Sequence, residues 1–578
     1  MLFFGFFRRH IESLLAGFLG LLFFAVSVGL QKIDPRNVGW ITFKDQRAHW
    51  VGWLFFAGDE WRWPLGASPR YGWDETNSIV NSDSWPIFAI LFKATRIDVL
   101  ASGQYFGVAL ATCSVALFVG ATKLFRVLRL SSAQSLVAST LLATTPLFWW
   151  MQRWYFALSG GLCLLIWAIL TYFKSRQDGK LRTTSWLLIL LLAIGTNFYL
   201  WGLIFPIYLA TLLNTVFSTR KHVRRSILQI GITTVSSVVA MYIFGYFTMP
   251  VGTVSTGRYG IYTANLLGLF DTNSTSRWLP DLPSTPLQYE PTSVGIGSLI
   301  IGVVVFGYFV FHPKQTLGAA IRIIPRHIWL LIVLVAMFAF SVSNYATLGE
   351  RGYNFEIHYR LFQLFSVFQS SARFMWPFTV LSVVGIVTIC SRWKTVGTSV
   401  LVAATLIQIA DVLPEIRSVA LRENSSLTPI QYEQDLWSVL PDEYEKISIH
   451  TPINIQTGWD ECAYAAAVNY RVAHCAYLSR PSGVTEREEL QQIALLSGVP
   501  DQSMVYWLSR GWLLEHAGQM LNHYQGVEHA FVLPAEGTVA RSDFVYFFPY
   551  CGAVDGCSFL GVRAESIDRI LMSIRPSS

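Results

Sequence analysis

From Leu14 to Leu30 the chain runs seventeen residues without a charged side chain, and ten more apolar segments follow. A helix of about 20 consecutive apolar residues crosses a hydrocarbon layer, because a helix satisfies its own backbone N–H and C=O groups where water is absent. We place the eleven segments near 13–30, 104–121, 133–150, 154–173, 184–197, 199–217, 226–247, 294–311, 327–343, 374–391 and 396–412. The charged fraction, 14%, is well below the roughly 25% of soluble domains and supports a polytopic membrane chain. The first run is longer than a signal-peptide core and no small-residue cleavage site follows it, so it is expected to remain as the first span.

The loops between these segments sort by charge. Arg8/Arg9, Lys123/Arg126/Arg129, Lys174/Arg176/Lys180/Arg182, Arg220/Lys221/Arg224/Arg225, Lys314/Arg322/Arg326 and Arg392/Lys394 fall in one set, which alternates with loops poor in Lys and Arg. The positive-inside rule puts the basic set in the cytoplasm. The net charge of +7 is therefore read as topology, and no nucleic-acid partner is expected. An odd span count places the C-terminus outside, together with the long regions 31–103, 248–293, 344–373 and 413–578.

The expected domains are a transmembrane domain, 1–412, which includes the outer loops 31–103 and 248–293, and an extracytoplasmic α/β domain, 413–578. In the second, "REELQQIALLSGV" (Arg487–Val499) has the period of an amphipathic helix, and "HAFVLP" and "DFVYFFPY" read as buried strands. Cys462, Cys475, Cys551 and Cys557 fall there at spacings unlike a zinc site, which suggests two disulfides with all three pairings open. Cys113, Cys163 and Cys390 fall in apolar segments and read as packed thiols.

The first outer loop holds "KDQRAHWVGWLFFAGDEWRWPLGASPRYGW" (Lys44–Trp73), with five Trp. Trp favours the membrane–water interface, so part of this stretch is expected as an interfacial helix. That reading leaves Asp45, His49 and Asp83 unexplained. A lipid-linked sugar presents a phosphate-bound anomeric carbon at this depth. Attack on it by an acceptor hydroxyl needs a base, and the departing phosphate needs cations. Asp45 and Asp83 are the candidate bases, with His49 beside Asp45 one helical turn on. Arg153, Arg258, Arg351, Arg360 and Arg373 are candidate clamps, and Tyr289 and Glu290 are further candidates for substrate contact. Each has a plainer reading. Asp45 and Asp83 can cap helices, His49 can fill the interface, Tyr289 and Glu290 can anchor a Pro-rich loop, and Arg153 and Arg373 can snorkel to headgroups. Phosphate-loop, dinucleotide and nucleophile-elbow motifs are absent, and the short basic inner loops offer no room for a nucleotide-sugar domain.

An outer first loop with an Asp near its start, many spans and an outer C-terminal domain together resemble the GT-C superfamily of polytopic membrane glycosyltransferases. More closely, "DQRAHWVGWLFF", "WPLGASPRYGW", "SIVNSDSWPIFAILFK", "YGIYTANLLGLFDTNSTSRWLPDLPSTPLQYE", "SNYATLG" and "FQSSARFMWP" are similar to a bacterial GT-C-like family of unassigned function. The resemblance covers about the first 410 residues. It implies an α-helical polytopic membrane protein of about 11 transmembrane helices with a C-terminal α/β soluble domain. It also implies a bacterial inner (plasma) membrane location, with the N-terminus cytoplasmic and the C-terminal domain periplasmic. The implied activity is sugar transfer from a polyprenyl-phosphate donor to a cell-envelope glycan, glycolipid or protein, by inverting displacement with Asp45 as base. Many GT-C enzymes carry a second carboxylate two residues on. Position 47 here is Arg, so a divalent Mg or Mn ion is no more than an option. "RWYFALSGGLCLL" also departs from the family pattern at a place linked to donor contact. The competing readings are a transporter or flippase of lipid-linked glycans and a non-catalytic scaffold of an envelope complex. Transporters favour midplane charge and internal repeats, and neither is evident.

Overall fold

The structure, a computed structural model, describes residues 2–41, 44–72, 77–97, 103–150, 156–219, 223–248, 258–285, 288, 290–422, 444–450, 472–474, 486–525, 530–533, 544–549 and 564–574. The chain divides into two compact units. One comprises Met1–Asp34, Tyr105–Tyr242 and Val254–Asn424; the other comprises Pro35–Gln104, Ile243–Thr253 and Ser425–Ser578.

The first unit is a helical bundle. Among the described residues six helical stretches are long and apolar enough to cross a membrane: Phe106–Val127, Phe156–Asp178, Phe198–Phe217, Ser226–Phe244, Pro325–Val342 and Ser371–Ser418. The last is 48 residues long and joins two of the expected segments, helix Trp376–Cys390 and helix Lys394–Arg422, through a short 3-10 turn. Ile11–Ser27, Ser132–Ala143, Thr183–Thr196 and Ile296–Phe311 are apolar but shorter. Helix Phe106–Val127 is the centre, packed on Leu2–Ser27, Ser132–Ala143 and Phe156–Asp178. Its contact with the first helix depends on Gly20, where a Cβ would lie 2.6 Å from the Ser114 carbonyl oxygen. Small residues let helices approach closely when both sides are apolar and burial gives no preference. Cys113, Cys163 and Cys390 are free and buried, as packed thiols.

A single turn of helix Lys394–Arg422 ties the bundle's polar ends together. Gln408 accepts from the Gly297 amide at 2.7 Å and donates to the Thr144 carbonyl at 3.0 Å. It thus satisfies an orphan donor at the start of one helix and an orphan acceptor at the end of another. One turn on, the buried Asp411 accepts from the Ser276 hydroxyl at 2.8 Å and from the Arg277 and Trp278 amides at 2.9 and 3.0 Å.

In the second unit, six strands form one mixed sheet: β3 (Lys446–His450), β4 (Val472–His474), β5 (Met504–Ser509), β6 (Ala530–Val532), β7 (Phe544–Phe548) and β8 (Ala564–Glu565). Their order is β4-β3-β5-β7-β6-β8, with β4, β3 and β5 parallel and the other pairings antiparallel. A separate antiparallel hairpin, β1 (Tyr345–Leu348) with β2 (Arg351–Asn354), belongs to the bundle unit. The sheet core runs through Met504, Tyr506, Leu508, Phe531, Val545 and Phe547, covered by helices Glu486–Leu496, Ala517–Tyr524 and Ile567–Ile574. The helix and both strands read from the sequence lie where expected. Cys462, Cys475, Cys551 and Cys557 lie outside the described residues.

The sheet also buries a polar knot. His450 meets the Ser448 hydroxyl at 3.0 Å, and Gln491 links Ser448 (3.3 Å) to His474 (2.7 Å). The His450 imidazole is pushed down to about 3, first by burial and then by His474 and His516. The fold therefore refuses a proton that the unfolded chain accepts. Stability from this site is full above about pH 6.5 and falls as pH drops from about 6.5 towards 3, by roughly 1.4 kcal/mol per unit. Denaturant unfolding at pH 7 and pH 5, read by Trp fluorescence, should differ by about 2 kcal/mol, and His450→Phe should flatten the difference. Parallel losses in wild type and variant would remove His450 as the cause.

Candidate functional site

The first outer loop begins with helix Lys44–Gly58. The expectation of an interfacial helix needs correction over this stretch. Val51, Trp53, Leu54, Phe55 and Phe56 are buried within the protein, and the Trp61 and Trp63 rings beyond the helix are exposed. The reason is that, after its polar first turn, apolar residues occupy every position but Gly52 from Trp50 to Ala57, which leaves that part of the helix no wide polar face for water. Trp50 is also engaged, its indole N–H donating to the Gly103 carbonyl at 3.0 Å.

His49 is buried, and its Nδ1 lies 2.8 Å from the Ser82 carbonyl oxygen. A carbonyl only accepts, so Nδ1 carries the proton, and in the neutral ring Nε2 is the basic nitrogen. The same turn returns a bond, from the Ser84 hydroxyl to the His49 carbonyl. Gly52, three residues on and on the same helix face, makes this approach possible, because a Cβ there would lie 2.1 Å from the Ser82 hydroxyl. Asp83 stands between the two serines, half-buried, with its backbone in the left-handed region at φ 51. Asp is among the few non-glycine residues that tolerate that region. His49 and Asp83 are thus brought into one helix–turn assembly. Asp45 lies one turn before His49 on the helix backbone; its side chain is outside the described residues.

Two charged residues near this assembly were missed from sequence. Asp59 is buried, and its carboxylate accepts from the Glu60 amide at 2.8 Å and pairs with Arg62 at 3.3 Å. Lys93 donates to the Glu60 carbonyl at 3.2 Å and lies over the Phe56 and Trp61 rings at 4.2 and 4.8 Å. Burial pushes its ammonium down to about 8, with Asp59 opposing the shift. The "DEWR" spacing is an i,i+3 signal for the Asp59–Arg62 pair; no local signal links Lys93 to it.

In the bundle unit the structure joins Glu290 to Arg373. Arg373 Nε donates to Glu290 Oε1 at 2.8 Å, and the Ser370 hydroxyl donates to the same oxygen at 2.9 Å. The guanidinium lies 4.5 Å from the centre of the Tyr199 ring, whose hydroxyl accepts from the Ser370 amide at 2.7 Å. Phe368 packs on Tyr199 and on Phe374, so the pair sits among aromatic rings. Glu290 is 4% and Arg373 7% exposed, and Glu290 Oε2 has no hydrogen-bond partner among the described residues. Next to Glu290, Gln288 binds Thr263 at 2.9 Å, accepts from Asn265 at 3.0 Å and meets Thr347. Tyr199 and Ser370 are contributions that sequence reading did not single out, whereas Gln288 belongs to the polar run Gln288–Glu290 that it did. Arg153 and Tyr289 lie outside the described residues.

No group of three His, Cys, Asp or Glu side chains gathers at metal-binding distance among the described residues.

Long apolar helices, a buried ion pair in the bundle and a small mixed sheet define a helical, membrane-associated protein with an α/β portion. The chain belongs to the DUF6311 family, described as a domain of unknown function, whose model matches residues 17–413. No curated protein and no solved structure matches the chain. The match takes in both assemblies and ends before β3, so the six-stranded sheet lies outside it.

Proposed function

We propose that this chain is a GT-C-type glycosyltransferase that moves a sugar from a polyprenyl-phosphate donor to a cell-envelope glycan, glycolipid or protein. In this reading the eleven apolar segments span a bacterial inner membrane, the basic loops face the cytoplasm, and the first loop and C-terminal domain face outside. The observation that carries the reading is the helix just after the first apolar helix, with Asp45 and His49 one turn apart and His49 pinned by Ser82. The acceptor oxygen bonds to the anomeric carbon as the bond from that carbon to the phosphate oxygen breaks, inverting the centre. Asp45 takes the acceptor proton, with Asp83 as the alternative base. The electron pair leaves with the lipid phosphate, which one of the candidate outer-face arginines holds. His49 positions Asp45 or the acceptor, and Glu290, Tyr289 and Arg373 are further candidates for substrate contact.

The test is a transfer assay with purified protein in lipid, a panel of polyprenyl-phosphate sugars and envelope extracts as acceptor. Sugar transfer above a protein-free control supports the enzyme. No transfer from any donor, together with binding of a glycan or an envelope protein, would replace it with the scaffold reading.

A further inference from the structure

The basic end of the bundle holds two adjoining cavities apart from the residues named for sugar transfer. A cavity of about 930 Å³ opens between helices Leu2–Ser27, Phe106–Val127 and Phe156–Asp178, at the upper end of ligand-pocket sizes. Lys123, Arg126, Arg129 and Lys174 line it against one carboxylate, Glu12. A neighbouring cavity of about 330 Å³ shares Arg129 and Gln177 and adds Arg176, Arg326 and Arg392, with no acidic residue in its described lining.

Cations at helix C-termini ordinarily answer the helix dipole. That account falls short here. The Val127 carbonyl is already capped by Gln177 at 2.7 Å, the Leu130 carbonyl by Arg126, and Glu12 pairs with Arg126 at 3.3 Å. The remaining positive charge faces a large concave space. On the first helix, directly after Glu12 and Ser13 of the lining, Leu14 and Phe18 are 71% and 62% exposed. The site thus combines several cations with an adjoining apolar flank, the chemistry of a phosphate joined to acyl chains.

We infer that this cavity binds the phosphate headgroup of an anionic phospholipid, with Lys123, Arg129 and Lys174 around the phosphate and the acyl chains along Leu14 and Phe18. Detergent-solubilised full-length protein, titrated with dioleoylphosphatidylglycerol or dioleoylphosphatidylcholine and read by native mass spectrometry, tests it. Phosphatidylglycerol should bind more tightly, and Lys123→Gln with Lys174→Gln should weaken it at least about tenfold while leaving phosphatidylcholine unchanged. Lys180→Gln with Lys394→Gln removes equal charge outside both linings and should keep wild-type affinity. Equal retention of the two lipids, or equal loss in both double variants, overturns the site. Inorganic phosphate that displaces phosphatidylglycerol at equal concentration overturns the lipid in favour of a free anion.

Discussion

Arg373→Ala is expected to destabilise the bundle unit by roughly 3–5 kcal/mol, because it leaves the Glu290 carboxylate buried with Ser370 as its remaining donor. The pair lies among aromatic rings, where a lone charge is solvated poorly. Glu290→Gln should cost somewhat less, since the amide oxygen still accepts from Ser370 and Arg373, although the buried guanidinium loses the carboxylate charge that faces it. The double change Glu290→Gln with Arg373→Met is expected to recover most of the loss, because a buried pair replaced as a whole leaves no unpaired charge. Thermal unfolding in detergent, with all three variants beside wild type, reads this. A double variant as unstable as Arg373→Ala alone would show that the guanidinium acts through packing on Tyr199 rather than through Glu290. Moderate salt should leave the wild-type value nearly unchanged, as screening is weak for buried charges.

Asp45→Asn should lower sugar transfer by about 10²–10⁴-fold without changing the melting temperature, the range for loss of a positioned general base. The amide keeps the size of the carboxylate and one accepting oxygen but cannot take a proton at neutral pH. His49→Gln should give a smaller loss, because Gln can still donate to the Ser82 carbonyl and hold the helix against the turn. Full activity in Asp45→Asn, with a large loss in Asp83→Asn, would keep the enzyme and move the base to the turn. Full activity in both would remove the carboxylate mechanism.

What was legible in the sequence was what depends on neighbours along the chain. Apolar runs specify helices through local periodicity, and all eleven segments are helical over much of their length. "REELQQIALL" and "DFVYFF" likewise carry their own period, and both formed as read. The Trp loop was harder. An indole with an apolar ring and one N–H suits a lipid interface and a protein core equally, and Trp53 took the core. The Glu290–Arg373 pair joins residues 83 positions apart, and Lys93 reaches the Glu60 carbonyl across 33. Such pairings arise from tertiary packing, which leaves no period to read. Glu290 and Arg373 were each legible as polar residues at the ends of apolar segments, but their partnership was not. The six-stranded order, with β3 between β4 and β5, was illegible for the same reason.

Gln408 and Asp411 stand three residues apart on one helical turn. Between them they hold the start of helix Ile296–Phe311, the end of helix Ser132–Ala143 and the loop at Ser276–Trp278. Mechanically, that turn is a pin through three parts. A rotation of helix Lys394–Arg422 large enough to swing both side chains away would release all three at once. These parts of the bundle therefore move as one body or come apart together, and the exposed indole of Trp278 is carried by the same pin.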